Sequence, residues 1–187
     1  MGIDPDEPMN DPIYLEKLEP KEQERVNNAK NSMEKDIKNT VDLGYYCLTN
    51  DALAAVLPEL EIAYLKTTDR LVLRGNEFDD DGMLDLVDCL YGVHNTCMSE
   101  LDISETKVGD RGIIGLIECM REIESLCVVE IEGLREVSQD VKEKLEAAMR
   151  KNKITTEKKN KLNAMVDAAK KRDHYDEIGL NYVGKPY

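Results

Sequence analysis

Six residues within 77–88 have the types and spacing of a cation loop. Glu77, Asp79, Asp81, Gly82, Asp85 and Asp88 fall at positions one, three, five, six, nine and twelve of a twelve-residue stretch. That is the pattern by which carboxylates wrap calcium around a sharp glycine turn. Two positions depart from it. Glu77 stands where the first ligand is an aspartate, and Asp88 where a bidentate glutamate closes the shell. Gly112 repeats the glycine thirty residues on without any acidic cluster, so a structural turn accounts for Gly82 and no bound cation is expected. Residues 179–185 (GLNYVGK) have the outline of a phosphate loop, but Pro186 follows where Ser or Thr would hold magnesium. The five cysteines, Cys47, Cys89, Cys97, Cys119 and Cys127, form no Cys-x-x-Cys pair, and His94 and His174 lie far apart. Neither a zinc site nor a nucleophile–base pair is visible. The expectation is a non-catalytic chain with no cofactor.

What positions these residues is a repeat. Residues 71–90 return as residues 101–120, with Leu71 and Leu73 mapping onto Leu101 and Ile103, Phe78 onto Val108, Gly82 onto Gly112 and Cys89 onto Cys119. The same frame shifted back lands on Val41, Leu43, Leu48, Leu53 and Val56, and a fourth unit opens at Val129 and Ile131 after 28 residues. An apolar frame with a period of this length marks a stack of small units. Each unit opens with apolar–x–apolar, the alternation of a short strand with one buried face, then turns into a helix. Leu73, Leu101, Ile103, Leu116 and Ile131 are expected fully buried, and Cys89 and Cys119 are expected as reduced, buried thiols on the apolar side of the helices. The organisation predicted is an extended N-terminal arm (1–19), a capping helix (20–40) begun at Pro20, a repeat domain of four units (41–150), a basic helix (151–172) and an extended docking tail (173–187).

Alternation also fixes what the other strand face carries. Thr40, Asp42 and Gly44 belong to the first unit, Arg70, Val72 and Arg74 to the second, Glu100, Asp102 and Ser104 to the third, and Val128, Glu130 and Glu132 to the fourth. With Tyr45 just beyond the first strand they form a ribbon, basic in the second unit and acidic across the third and fourth. The residues expected to bind protein are Asp42, Tyr45, Arg70, Arg74, Glu100, Asp102, Glu130 and Glu132 on this face. Tyr175, Tyr182 and Tyr187 are expected to do so in the tail, since Tyr combines large contact area with a hydrogen-bonding tip.

Charge narrows the partners. The 187 residues carry a net −14, but residues 150–187 have ten Lys/Arg against five Asp/Glu, leaving −19 on residues 1–149. Duplex nucleic acid or an anionic membrane would be repelled by such a body. No apolar run is long enough to span a bilayer, and the acidic, Pro-rich start resembles neither a secretory signal nor an organelle presequence. A cytoplasmic protein is expected.

The repeat resembles the leucine-rich repeat family in its long, ribonuclease-inhibitor-like form. Leu71, Leu73, Asn76 and Phe78 meet the LxxLxLxxNxL pattern, as do Met98, Leu101, Ile103, Thr106 and Val108, and Asp80-Asp81-Gly82 and Asp110-Arg111-Gly112 follow. The resemblance implies an α/β arc with parallel strands inside and helices outside. At the asparagine position Tyr46, Thr106 and Leu134 stand in the other units, so one rung of the buried asparagine ladder is implied. The stretch VGDRGIIGLIEC…VVEIEGLREV is also similar to the small mitochondrial group containing ATP synthase subunit s (coupling factor B). Stacked repeats bind more than they catalyse. The function expected is a protein–protein interaction subunit or adaptor in a larger assembly, cytoskeletal, axonemal or ciliary. The alternative, implied by the second resemblance, is a regulatory or assembly factor of a mitochondrial membrane complex.

Overall fold

The computed structural model describes residues 18–33, 39–65, 67–93 and 97–177. Four three-residue strands, β1 (Thr40–Asp42), β2 (Arg70–Val72), β3 (Glu100–Asp102) and β4 (Val128–Glu130), lie side by side in chain order, all parallel. Their register follows the repeat: Val41, Leu71, Leu101 and Val129 form one row, flanked by Thr40, Arg70, Glu100 and Val128. Parallel neighbours need a crossover, and helices α2 (Asn50–Glu59), α3 (Asp80–Val93) and α4 (Asp110–Cys119) supply it. Leu73, Leu101, Ile103 and Leu116 are fully buried in one continuous core between strands and helices. Helix α1 (Pro20–Met33) packs on α2 and buries Val26, Ala29 and Met33, closing the N-terminal end of the stack.

Local chemistry explains the departures from a regular repeat. Pro58 lies inside α2, has no N–H to donate, and is followed by a π-helical turn, Leu60–Tyr64, closed by Leu65 N–H donating to Leu60 O at 2.9 Å. After each strand the residue at one repeat position turns left-handed, Tyr45 (φ 62), Gly75 (φ 70), Glu105 (φ 58) and Gly133 (φ 78), and in the first unit Cys47 (φ 54) does so too. Glycine adopts this freely, whereas a side chain there costs about 1–2 kcal/mol. The implied asparagine rung is present. Asn76 is buried, accepts from Leu48 N–H at 2.9 Å, and donates to Leu43 O at 2.8 Å and Leu73 O at 2.7 Å. In the third unit Thr106 donates to Ile103 O at 2.8 Å instead.

Helix α5 (Gln139–Glu177) is continuous. Residues 151–172, expected as a basic helix of their own, are helical but continue the helix begun at Gln139, because residues 150–154 contain neither Gly nor Pro. The extended tail expected from residue 173 is helical as far as Glu177, and the rest of it lies outside the described residues. The chain divides into two compact units, residues 1–153 and residues 154–187. Two expected burials also differ. Ile131 is only partly buried, because it follows directly on the last strand and no fifth strand lies beyond it among the described residues, and Cys89 is half-buried. Among the described residues no helix is long and apolar enough to cross a membrane.

Candidate functional site on the concave strand face

The outward strand positions form a ribbon bound together by its own charges. Arg70 reaches Glu100 on the next strand at 3.6 Å and Glu130 one strand further at 3.4 Å. Arg74 pairs with Glu105, and Tyr45 Oη donates to the same carboxylate at 3.3 Å. The hydrogen bond from Arg74 holds Glu105 below the usual carboxylate range, and the bond to Glu105 raises the guanidinium further above its ordinary value. These groups meet solvent, so the pairs fix orientation more than they stabilise the fold. The Tyr45 ring lies across Gly75, where an added Cβ would stand 2.3 Å from ring Cδ1. Tyr45 nevertheless remains 63% exposed. A groove of about 540 Å³ opens beside Glu105, with Lys107, Val108, Arg135 and Glu136 along its walls.

The structure therefore brings together Tyr45, Arg70, Arg74, Glu100 and Glu130, and leaves the Asp42 and Glu132 side chains exposed at the margins. Asp102 is a correction. It is 4% exposed, and its Oδ1 accepts from Ser104 N–H at 2.9 Å. The equivalent Asp42 accepts from Gly44 N–H at 2.9 Å. Both carboxylates close the turn that follows their own strand, and in the central strand β3 that turn is covered. Tyr175 falls within α5, with its side chain outside the described residues, as are Tyr182 and Tyr187 entirely. Glu105 is not among the residues that alternation predicts, because it sits on the turn beyond the strand. The aligned Gly75 and Gly133 are the signal that could find it, since they mark a left-handed position that Tyr45 and Glu105 share.

The acidic stretch is occupied by helix capping between units. Asn50, Asp80 and Asp110 stand at one repeat position, and each accepts from a backbone N–H at the start of the next helix. The donors are Asp79 at 3.0 Å, Gly109 at 2.7 Å and Ser138 at 2.7 Å. Gly109 has no side chain to cap α4, so Asp80 Oδ1 also accepts from Gly112 N–H at 2.9 Å and caps it from the preceding unit. Asn50 Nδ2 donates to Asp79 Oδ1 at 2.8 Å, and this bond leads in holding the Asp79 carboxyl below its ordinary value. The paired glycines follow from this close approach. A Cβ at Gly82 would stand 2.6 Å from Asn50 Oδ1, and one at Gly112 would stand 2.8 Å from Asp80 Oδ1. Among the described residues no three His, Cys, Asp or Glu side chains are grouped to hold a metal ion.

A family model described as Leucine Rich repeat matches residues 94–116, which run through β3 and its turn into α4. No curated protein sequence matches the chain. Among solved structures the chain is similar to "Leiomodin-1 Actin-Binding Site 2 (ABS2)", with a TM-score of 0.57 and 14% identity, over 78% of this chain and 96% of that one. At that identity the likeness is one of fold, and it is a likeness to the same one-sided stack of parallel strands and outer helices. A thirty-residue period that sets strand register, core and buried asparagine together gives this chain the fold of a leucine-rich repeat stack.

Proposed function

We propose that the chain is a non-catalytic protein-binding module of a cytoskeletal assembly, engaging its partner through the concave strand face. Tyr45 carries this reading. It is a large ring held in a left-handed turn that glycine fills in two other units, seated on Gly75, hydrogen-bonded to Glu105 and still exposed. Strain retained at an exposed aromatic is characteristic of contact residues rather than of packing. On the same strand face Arg70, Glu100 and Glu130 form a mixed-charge patch, which suits orienting a protein surface better than gripping a small ligand.

Leiomodin-1, whose domain shares this fold, uses it as an actin-binding site, which makes actin the first partner to test here. The finer reading is an adaptor or wedge in an axonemal or related assembly, with the tail that includes Tyr175, Tyr182 and Tyr187 as a second anchor. Co-sedimentation of the full chain with actin filaments, with microtubules in parallel, tests it. Saturable binding to one of them, weakened about ten-fold or more by Tyr45→Ala, is the expected result. Binding to neither overturns the cytoskeletal reading, and undiminished binding by Tyr45→Ala overturns the concave site.

A further inference from the structure

Among the described residues, the helix of the C-terminal compact unit leaves an apolar face exposed. Every side chain from 157 to 170 is exposed. Leu162, Met165 and Val166, at 60%, 70% and 42% exposure, fall at the i, i+3, i+4 spacing that places them on one side, and Ala169 extends the line. Lys158, Lys159, Lys161 and Lys170 surround that line. Its complement is a surface apolar at the centre and acidic around it. Against these lysines the same stretch carries Glu157 and Asp167, and the remaining positive charge favours an acidic surface over a second copy of the helix.

The outer helices of the repeat domain offer that complement. Ile62, Tyr91 and Ile114 are exposed there, among Asp51, Asp81, Asp85, Asp88, Glu118 and Glu122. Arg111 is paired with Asp81, and Arg121 stands between Glu118 and Glu122 near Tyr91, so six carboxylates face two arginines. The crowding registers on Asp85, whose pKa is raised by burial first and then by Asp88, Asp81 and Asp51. We propose that the basic helix face of one copy docks on this acidic convex face of a second copy, giving head-to-tail self-association. The contact is heterologous, so it grows into longer species unless its rotation closes a ring. It uses neither Tyr45 nor the concave ribbon, and it stands or falls separately from actin binding.

Sedimentation of the full chain over a range up to about 100 μM tests the proposal. Concentration-dependent association is expected, weakened at least about ten-fold when salt rises from about 50 to about 500 mM. Leu162→Asp with Met165→Asp, both on exposed positions, should abolish it with circular dichroism unchanged. Asp88→Lys with Glu118→Lys should also abolish it. Mixing that variant with Lys158→Glu/Lys159→Glu/Lys161→Glu should restore association that neither shows alone. A chain that stays monomeric throughout the range, as it would if the helix folded back on its own body, overturns the proposal. So does association that the helix variants leave untouched.

Discussion

Asp80 is the point at which two repeat units are held together most economically, and its removal has a calculable consequence. Its Oδ1 accepts from Gly109 N–H at 2.7 Å and Gly112 N–H at 2.9 Å, both at the start of α4. Hydrogen bonds to a charged partner contribute about 1.5–3 kcal/mol each when buried, and loss of an N-terminal cap costs about 0.5–2 kcal/mol. The Asp80 side chain is 26% exposed, so water recovers part of the loss. Asp80→Ala should therefore cost about 2–3 kcal/mol. With a urea slope near 2 kcal/mol/M for a domain of this size, the midpoint falls by about 1 M. Asp80→Asn keeps the Oδ1 acceptor, as Asn50 does naturally one unit earlier, and should cost less than about 1 kcal/mol. Asp81→Ala, which removes an exposed partner of Arg111, should stay within about 0.5 kcal/mol. Urea titration followed by circular dichroism gives all three. An Asp80→Ala midpoint equal to wild type, or Asp80→Asn as costly as Asp80→Ala, refutes the bridging role. A rise in midpoint with added calcium would restore the cation reading.

In the core, Ile103→Ala should cost about 2–5 kcal/mol and the half-buried Ile131→Ala only about 1–2 kcal/mol, by the same titration. Asn152 is buried and donates from Nδ2 to Met120 O at 2.8 Å, Ile123 O at 3.1 Å and Leu126 O at 3.0 Å. Asn152→Ala should cost about 2 kcal/mol, because those carbonyls lose their donor. Burial pushes the Cys89 thiol up to about 12 and Cys119 up to about 11, so both should resist a thiol probe at neutral pH while exposed Cys97 labels first. Because the folded values lie above the ordinary 9.0, the unfolded chain releases these protons first. Stability should therefore fall as pH rises above 9.0, which a pH series of melting temperatures reads directly. Asp85 is raised in the folded state, so its charge opposes folding at neutral pH. Asp85→Asn should raise the urea midpoint at neutral pH, and the gain should vanish once pH falls below the ordinary 3.8.

Strand register, core and outward face were legible because one period carries all three. Once Leu71 is placed over Leu101, alternation assigns Arg70, Glu100 and Glu130 to the concave side without further information. The cap residues Asn50, Asp80 and Asp110 are equally periodic, but the calcium-like spacing around Gly82 points to the sequence neighbours of Asp80 rather than to its equivalents thirty residues away. What alternation cannot reach stayed hidden. Glu105 acts from a turn, Asp102 turns its carboxylate back onto Ser104 N–H, and Asn152 caps the third unit from beyond the end of the repeat frame. Helix α5 is continuous because no Gly or Pro stands between Met149 and Glu177 to stop it, so the repeat frame ends but the helix does not.

Isothermal titration of actin with the full chain, wild type against Tyr45→Ala/Glu132→Arg, tests the central claim most directly. Both substituted residues are exposed on the concave face, so the variant should keep the wild-type urea midpoint. The account predicts binding that weakens by about ten-fold or more in the variant. Absence of binding by the wild type, or equal affinity in the two proteins, would contradict it.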